Sequence, residues 1–499
     1  MSRRKGHEPG MAVDQVWRGL ARRAIDKSTV FVFFALVGMA ALPMGANRDW
    51  AWAPLCVLFG LMAVPVALGV GAREPHRVGA AERLPLLGLV GCWLSFVAFA
   101  LWQTTTWTPL TADAWLFARA AEILGKAHAP IPAIAVDAAR NSLLKCLACA
   151  LIFLTARALC RDRDNARWSL VALVASGMLV VSYGIAMQVS TNSCYLGGYL
   201  RKQFAYTAGD HCLMGGTFVN SNSFACYMGM CVVAALALLF GGPRKKEHTS
   251  YGYVEEEVVG LIDWLTPSRV VLLSVLLLML GGLLISASRA GVGASAAGML
   301  LLGLLMMRGR WRARPGLGVA FVLGLGALAV VGLIAGSALL TKFVVASDDA
   351  SRLRIWSAAI EAIGMSPGLG WGLGGFGDVF TLLQPSDSLQ PNDIAHSTPL
   401  ETVVELGVIA AVPAILVVLL PWAICLRGAL KRRLSRRYLP AAAFSVAAVA
   451  ILHSLVDFSL QIPAIGFVTA ALLGMGWAQS FGRRDATEAE LGRRNPLTK

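Results

Sequence analysis

Long apolar runs govern what this chain can fold into. Twelve stretches of roughly 18 to 24 residues lie near 29–46, 52–71, 85–103, 142–160, 168–188, 219–240, 269–287, 291–307, 317–340, 402–424, 439–457 and 462–480. About 20 apolar residues in a helix cross the hydrocarbon core of a bilayer. The composition agrees: 57% of residues are hydrophobic and only 15% charged, with a mean hydropathy of +0.64. An ordinary soluble protein is about 25% charged. Disorder, collagen and a normal cytosolic enzyme are excluded. The expected fold is an all-α integral membrane protein with about 12 transmembrane helices.

The charge pattern orients those spans. Of the 44 Lys and Arg residues, 33 fall at the N-terminus, in alternate gaps between the runs, or in the C-terminal tail. Basic residues concentrate on the cytoplasmic side, so both termini are expected in the cytoplasm. The net charge of +15 then needs no nucleic acid to explain it. Residues 1–28 read as a cytoplasmic N-terminal tail, 29–480 as the transmembrane domain and 481–499 as a cytoplasmic C-terminal tail. The first apolar run lacks a small-residue cleavage site and reads as a retained anchor. Three outer loops, about 104–141, 189–218 and 341–401, exceed what a connector needs, and the last separates spans 9 and 10. Long loops in a compact protein are usually functional, which puts the working surface on the outer face.

Eight of the ten cysteines (Cys56, Cys92, Cys146, Cys149, Cys160, Cys226, Cys231 and Cys425) lie in or beside spans and read as small apolar fillers. Cys194 and Cys212 share one outer loop. In an oxidising compartment they would either pair, adding about 3 kcal/mol of loop constraint, or stay as two free thiols.

Charged groups inside a membrane are costly and point to function. Here they gather near the outer ends of the spans rather than at the midplane, where a coupled transporter usually holds them. Ser286-Ala287-Ser288-Arg289-Ala290-Gly291 forms a tight outer turn. Arg289 there would grip a phosphate or snorkel to water. In the third loop, apolar residues at 353, 356, 359 and 360 predict a short interfacial helix, with Ser351 as its N-cap. Arg352 and Arg354 would then sit in its first turn, against the helix dipole, where a bound anion or lipid headgroups would offset the cost. The run 367–377 is rich in glycine and reads as a mobile loop or one whose backbone approaches a substrate.

His396 precedes span 10, with Glu401 and Glu405 one turn apart on the entering helix. A histidine that titrates near neutral pH suits a general base, and a glutamate would orient it. Four residues separate His453 from Asp457, so they share a helix face as a polar clamp or a functional pair. Asn220 and Asn222 would bind sugar hydroxyls or cap the sixth span.

Together the stretches GTFVNSNSFA (216–225), SASRAG (286–291), SRLRIWSAAIEAIGMSPGLGWGLGGFG (351–377), HSTPLETVVELG (396–407) and HSLVDFSLQIPA (453–464) resemble the O-antigen ligase / O-antigen polymerase family of bacterial membrane glycosyltransferases. The last motif is most similar to exopolysaccharide-polymerase-like members. The family often carries Asn after the loop histidine; this chain has Ser397. The resemblance implies a GT-C-like enzyme of the inner membrane that needs no metal or cofactor and works at the periplasmic face. The implied donor is a glycan on undecaprenyl pyrophosphate. The implied acceptor is a second glycan or a lipid A core, with membrane lipid and a chain-length regulator as further partners. By position, His396 would be the base on the acceptor hydroxyl, with Glu401 and Glu405 beside it in the catalytic group. Arg289 and one or both of Arg352 and Arg354 would hold the pyrophosphate, and His453, Asp457, Asn220 and Asn222 would contact substrate.

Three other readings of the residues stand beside this one: a secondary transporter of a small anion such as bicarbonate, a lipid-linked oligosaccharide flippase, and a non-catalytic partner of an envelope polysaccharide machine.

Overall fold

A computed structural model describes residues 26–70, 78–105, 122–123, 125, 133–191, 214–241, 266–308, 345–384, 393–432 and 434–481. The apolar run at 317–340 and the pair Cys194 and Cys212 lie outside them. The described chain is helical: α1 (26–39), α2 (Asp49–Ala67), α3 (Ala80–Gln103), α4 (Val136–Leu159), α5 (Arg163–Thr191), α6 (Ser221–Gly241), α7 (Pro267–Ile285), α8 (Arg289–Met307), α9 (Val345–Met365), α10 (Phe376–Leu383), α11 (Thr398–Lys431), α12 (Leu434–His453) and α13 (Pro463–Phe481). Among the described residues, nine of these helices are long and apolar enough to cross a membrane. The all-α membrane fold read from the apolar runs is what forms.

The bundle has a buried centre and an exposed rim. Over 70% of the apolar window is covered by protein in α6 and α13, against about a fifth in α2, α3 and α7. Exposed Leu61, Val64, Leu87, Val271 and Leu277 on the rim helices are what lipid-facing helices present. At the centre, small residues let the helices touch. A methyl group at Gly229 of α6 would stand 1.9 Å from Ser295 Oγ of α8, and one at Gly298 of α8 would stand 2.5 Å from Val449 of α12. Packing of small residues replaces the hydrophobic drive that lipid cannot supply. Together with the bond from Arg437 to Arg308 O (2.9 Å), the Gly298–Val449 contact sets α8 and α12 antiparallel, so Arg289 lies at the end of the bundle where α12 stops at His453.

One helix is broken. At Gly407, α11 takes φ 62°, ψ 171°, a conformation open only to glycine. The chain from Pro367 to Gly372 lies across the gap. Val408 N–H donates to Pro367 O (2.9 Å), Trp371 N–H to Val404 O (3.0 Å) and Gly372 N–H to Glu405 O (2.8 Å). The buried Gln103 at the end of α3 adds Nε2 bonds to Leu369 O (2.7 Å) and Glu405 O (3.0 Å). The glycine-rich run is therefore tied by backbone bonds to α11. It is a patch on a broken helix, and it contains glycine because a side chain at 370 would meet Glu405 O at 2.4 Å.

The short helix expected in the third loop is instead the 21-residue α9. It starts at Val345, so Ser351 is not its N-cap and Arg352 and Arg354 lie beyond its first turn. The dipole argument for a bound anion falls with that start. The buried face is Ile355, Ala358, Ala359 and Ala362, packed on Trp371, Phe376 and Val404. Leu353 and Ile360 point outward at 65% and 63% exposure.

Gly407→Ala should destabilise the protein by at least about 1–3 kcal/mol from the backbone alone, because its methyl would also stand 2.2 Å from Gly368 O. Gly91→Ala, inside α3 with nothing within 4 Å, should not lower the thermal midpoint of the detergent-purified protein, since alanine is the better helix former.

Candidate functional site

Two anchored residues hold His396 between them. On one side, Ala395 is buried; its N–H donates to Glu401 Oε2 (2.8 Å) and its carbonyl accepts from Trp356 Nε1 of α9 (3.0 Å). On the other, Thr398 N–H donates to Ser454 O (2.9 Å), and its hydroxyl to Asp457 O (3.3 Å). The span between these anchors is short, and His396 takes φ +51°. Positive φ is uncommon outside glycine, with histidine among the residues that tolerate it best. Such strain persists only where the surroundings enforce it, and it clusters at functional sites.

The loop geometry turns the imidazole toward the end of α12. His396 Nδ1 lies 3.5 Å from Asp457 Oδ1, and the ring meets Phe458 edge-on at 5.5 Å. Nδ1 is buried, while the side chain is 22% exposed against 1% for Asp457. The exposure therefore falls on the other ring edge, which carries Nε2. The Phe458 N–H donates to Asp457 Oδ1 (2.8 Å) and fixes the carboxylate. A carboxylate behind Nδ1 and an open Nε2 are the parts of an oriented general base.

The carboxylate at the imidazole is thus Asp457, rather than one of the glutamates expected to orient it. Glu401 acts one residue away, on the Ala395 backbone. Glu405, also buried, accepts the N–H of Phe376 (3.4 Å) and of Gly374, holding the start of α10 and the glycine patch. Both glutamates shape backbone.

Arg352 shares a helix face with Ile355 and Ala359, the buried side of α9, and comes close enough to His453 to interact electrostatically. Arg354 is exposed on another face of α9, and Arg289 is exposed as the first residue of α8. Ser288 caps α8 by accepting the Gly291 N–H (3.2 Å). Asn220 Oδ1 accepts the Asn222 N–H (2.7 Å), the capping alternative for that residue. His453 is fully buried, with Nδ1 2.9 Å from Ser459 Oγ. The structure therefore gathers His396, Asp457, His453, Arg352 and Glu401, with Arg289 and Arg354 at the surface. The His396–Asp457 contact had no signal in spacing, since the two lie on separate elements. No group of His, Cys, Asp and Glu suited to a metal occurs among the described residues.

Residues 274–415 match the family model for O-antigen ligase, and the resemblance read from the motifs is borne out over that segment. No curated protein matches the chain. The matched segment contains Arg289, Arg352, Arg354, His396, Glu401 and Glu405. Asn220, Asn222, His453 and Asp457 lie outside it.

Glu401→Leu should leave the Ala395 N–H buried without an acceptor, at a cost of about 1–3 kcal/mol, and speed amide exchange over 394–397. Glu401→Gln, which retains an oxygen, should stay close to wild type in both measurements.

Proposed function

We propose that this chain is an inner-membrane glycosyltransferase. It moves a glycan from undecaprenyl pyrophosphate to a hydroxyl of a second glycan or a lipid A core, at the outer face of the membrane. The observation that carries the reading is the His396–Asp457 contact (3.5 Å), formed in part by a segment of O-antigen ligase type. The excess of basic residues in the gaps on the opposite side supports the outward placement.

In this reading the acceptor hydroxyl lies against the open edge of His396. Nε2 takes its proton as the oxygen attacks the anomeric carbon, and the bond from that carbon to the pyrophosphate oxygen breaks. Asp457 keeps the Nδ1–H tautomer and stabilises the imidazolium that forms. Arg289 and Arg354, exposed at the same end, and Arg352 nearer the imidazoles supply positive charge to the departing pyrophosphate. Pyrophosphate carries its negative charge well, so the residues present need no more than proton removal and charge neutralisation.

The test is transfer by the full chain in nanodiscs, with lipid-linked oligosaccharide extracted from the host as donor, read on a glycan gel. His396→Ala should lower the rate by about 10²–10⁴-fold, and Asp457→Asn should fall in the same range. Full activity of His396→Ala would overturn the assignment. In cells lacking the protein, accumulated single repeat units would indicate a polymerase and long unattached chains a ligase.

A further inference from the structure

We propose that Lys145 binds an oxyanion of the acceptor substrate, on a wall of the bundle separate from that of the three arginines, an inference that rests on the reading of the chain as a transferase of lipid-linked glycans. Lys145 belongs to the core-facing stripe of α4. Ala148 and Ile152, three and seven residues on, are 2% and 0% exposed, while Leu144 and Leu147 on the other side of the helix are exposed. The half-buried lysine therefore points into the bundle. Its ammonium stands 5.0 Å from the centroid of the Trp52 ring on α2. It forms no hydrogen bond and no ion pair among the described residues. Trp52 Nε1 donates to Asp49 Oδ1 (2.9 Å), so this carboxylate is engaged at the indole edge and acts on the ammonium only through space.

A cation inside a membrane span is costly, and such residues mark substrate paths. The indole covers one side of the ammonium and leaves its donors on the other side to a ligand. Two packing points fix the level of that ligand. Outward along the same stripe, Ala138 lies against the glycine patch: a methyl at Gly374 would stand 3.0 Å from Ala138 O, and the Gly374 N–H is bonded to Glu405. Inward, Cys149 lies against α13: a methyl at Gly466 would stand 3.7 Å from Cys149 Sγ and 3.2 Å from Leu460 O. Lys145 sits between them, about 10 Å along the helix from Ala138 and about 6 Å from Cys149. It is thus level with the turn 457–462, which carries Asp457 and leads into α13.

The arginines belong to other elements. Arg289 starts α8, which packs on α6 and α12, and Arg352 and Arg354 lie on α9, which packs on α10 and α11. Lys145 is on α4, which packs on α2 and α13. A transferase that joins two glycans holds two substrates at once. With the donor pyrophosphate on the arginines, the cation of the α4 wall is left for the acceptor. An ammonium binds as a point charge rather than as a planar fork, so it takes a phosphate or a carboxylate alike. The ligand class is an oxyanion, supplied either by a phosphate of the acceptor lipid or by an acidic sugar.

Two measurements on the full chain in nanodiscs test this. The first is transfer kinetics with the acceptor varied at saturating donor. Lys145→Met should raise the acceptor KM by about 10- to 100-fold, the worth of a charge-assisted hydrogen bond, with kcat and the donor KM little changed. Lys145→Arg should recover most of the loss. Acceptor stripped of phosphate with hydrofluoric acid, and acceptor with its carboxyl groups reduced, identify the source. The treatment that removes the bound group should raise the wild-type KM to that of Lys145→Met and leave the two proteins alike. A rise in the donor KM instead, or an unchanged acceptor KM in Lys145→Met, would overturn the assignment. The second measurement is the thermal midpoint without substrate. Lys145→Met should melt no lower than wild type, because it removes a cation without a counter-ion. A lowered midpoint with unchanged acceptor KM would make Lys145 a packing residue. Failure of the transferase reading is seen separately, as absence of transfer by wild type. Equilibrium binding of the acceptor to His396→Ala, with and without Lys145→Met, needs no turnover and still decides the role of Lys145: equal binding by the two would overturn it.

Discussion

A helix that breaks inside an apolar bundle leaves backbone donors and acceptors that lipid and hydrocarbon side chains cannot satisfy. At Gly407 the break in α11 is tolerated because the chain from Pro367 to Gly372 brings its own backbone to the gap and Gln103 closes what remains. That exchange ties α3, α9 and α11 together at one end of the bundle. It also decides where the first turns of α11 point, and these carry Glu401 and Glu405.

The candidate base inherits its position from that arrangement. Glu405 bonds the start of α10, and Glu401 bonds the residue before His396. The other side of the histidine is fixed by the turn after α12 through Thr398. The residues flanking the imidazole are held by backbone bonds on both sides, and a carboxylate lies 3.5 Å behind the ring. Little of this depends on the exposed arginines.

The membrane fold was legible because lipid imposes a single demand, sustained apolarity, that twenty residues of sequence record directly. The tight turn before Arg289 was equally readable, since Ser288 caps α8 locally. What the sequence concealed is tertiary. Glycines at 370, 372, 374 and 375 signal permissive backbone, and what explains them is distant in sequence: the broken helix at Glu405 and Gly407 opposite Gly370, and Ala133, Ala138 and Ile134 opposite Gly372, Gly374 and Gly375. The Arg352 and Arg354 helix was given the wrong start and the wrong face, because Leu353 and Ile360 are exposed rather than packed against protein. His396 could be singled out through its family resemblance, but its carboxylate was assigned to nearby glutamates. Asp457 belongs to another helix end, and no spacing rule joins the two.

The match to O-antigen ligase ends at residue 415, before the chain reaches α12. The histidine and the aspartate behind it therefore sit on opposite sides of that boundary. The His396–Asp457 contact is therefore not portable as a sequence block. A chimera that transplanted the matched region alone would carry the imidazole into a host that must supply its own carboxylate at the right helix end. The contact would form in such a chimera only if the turn after α12 travelled with the loop before α11.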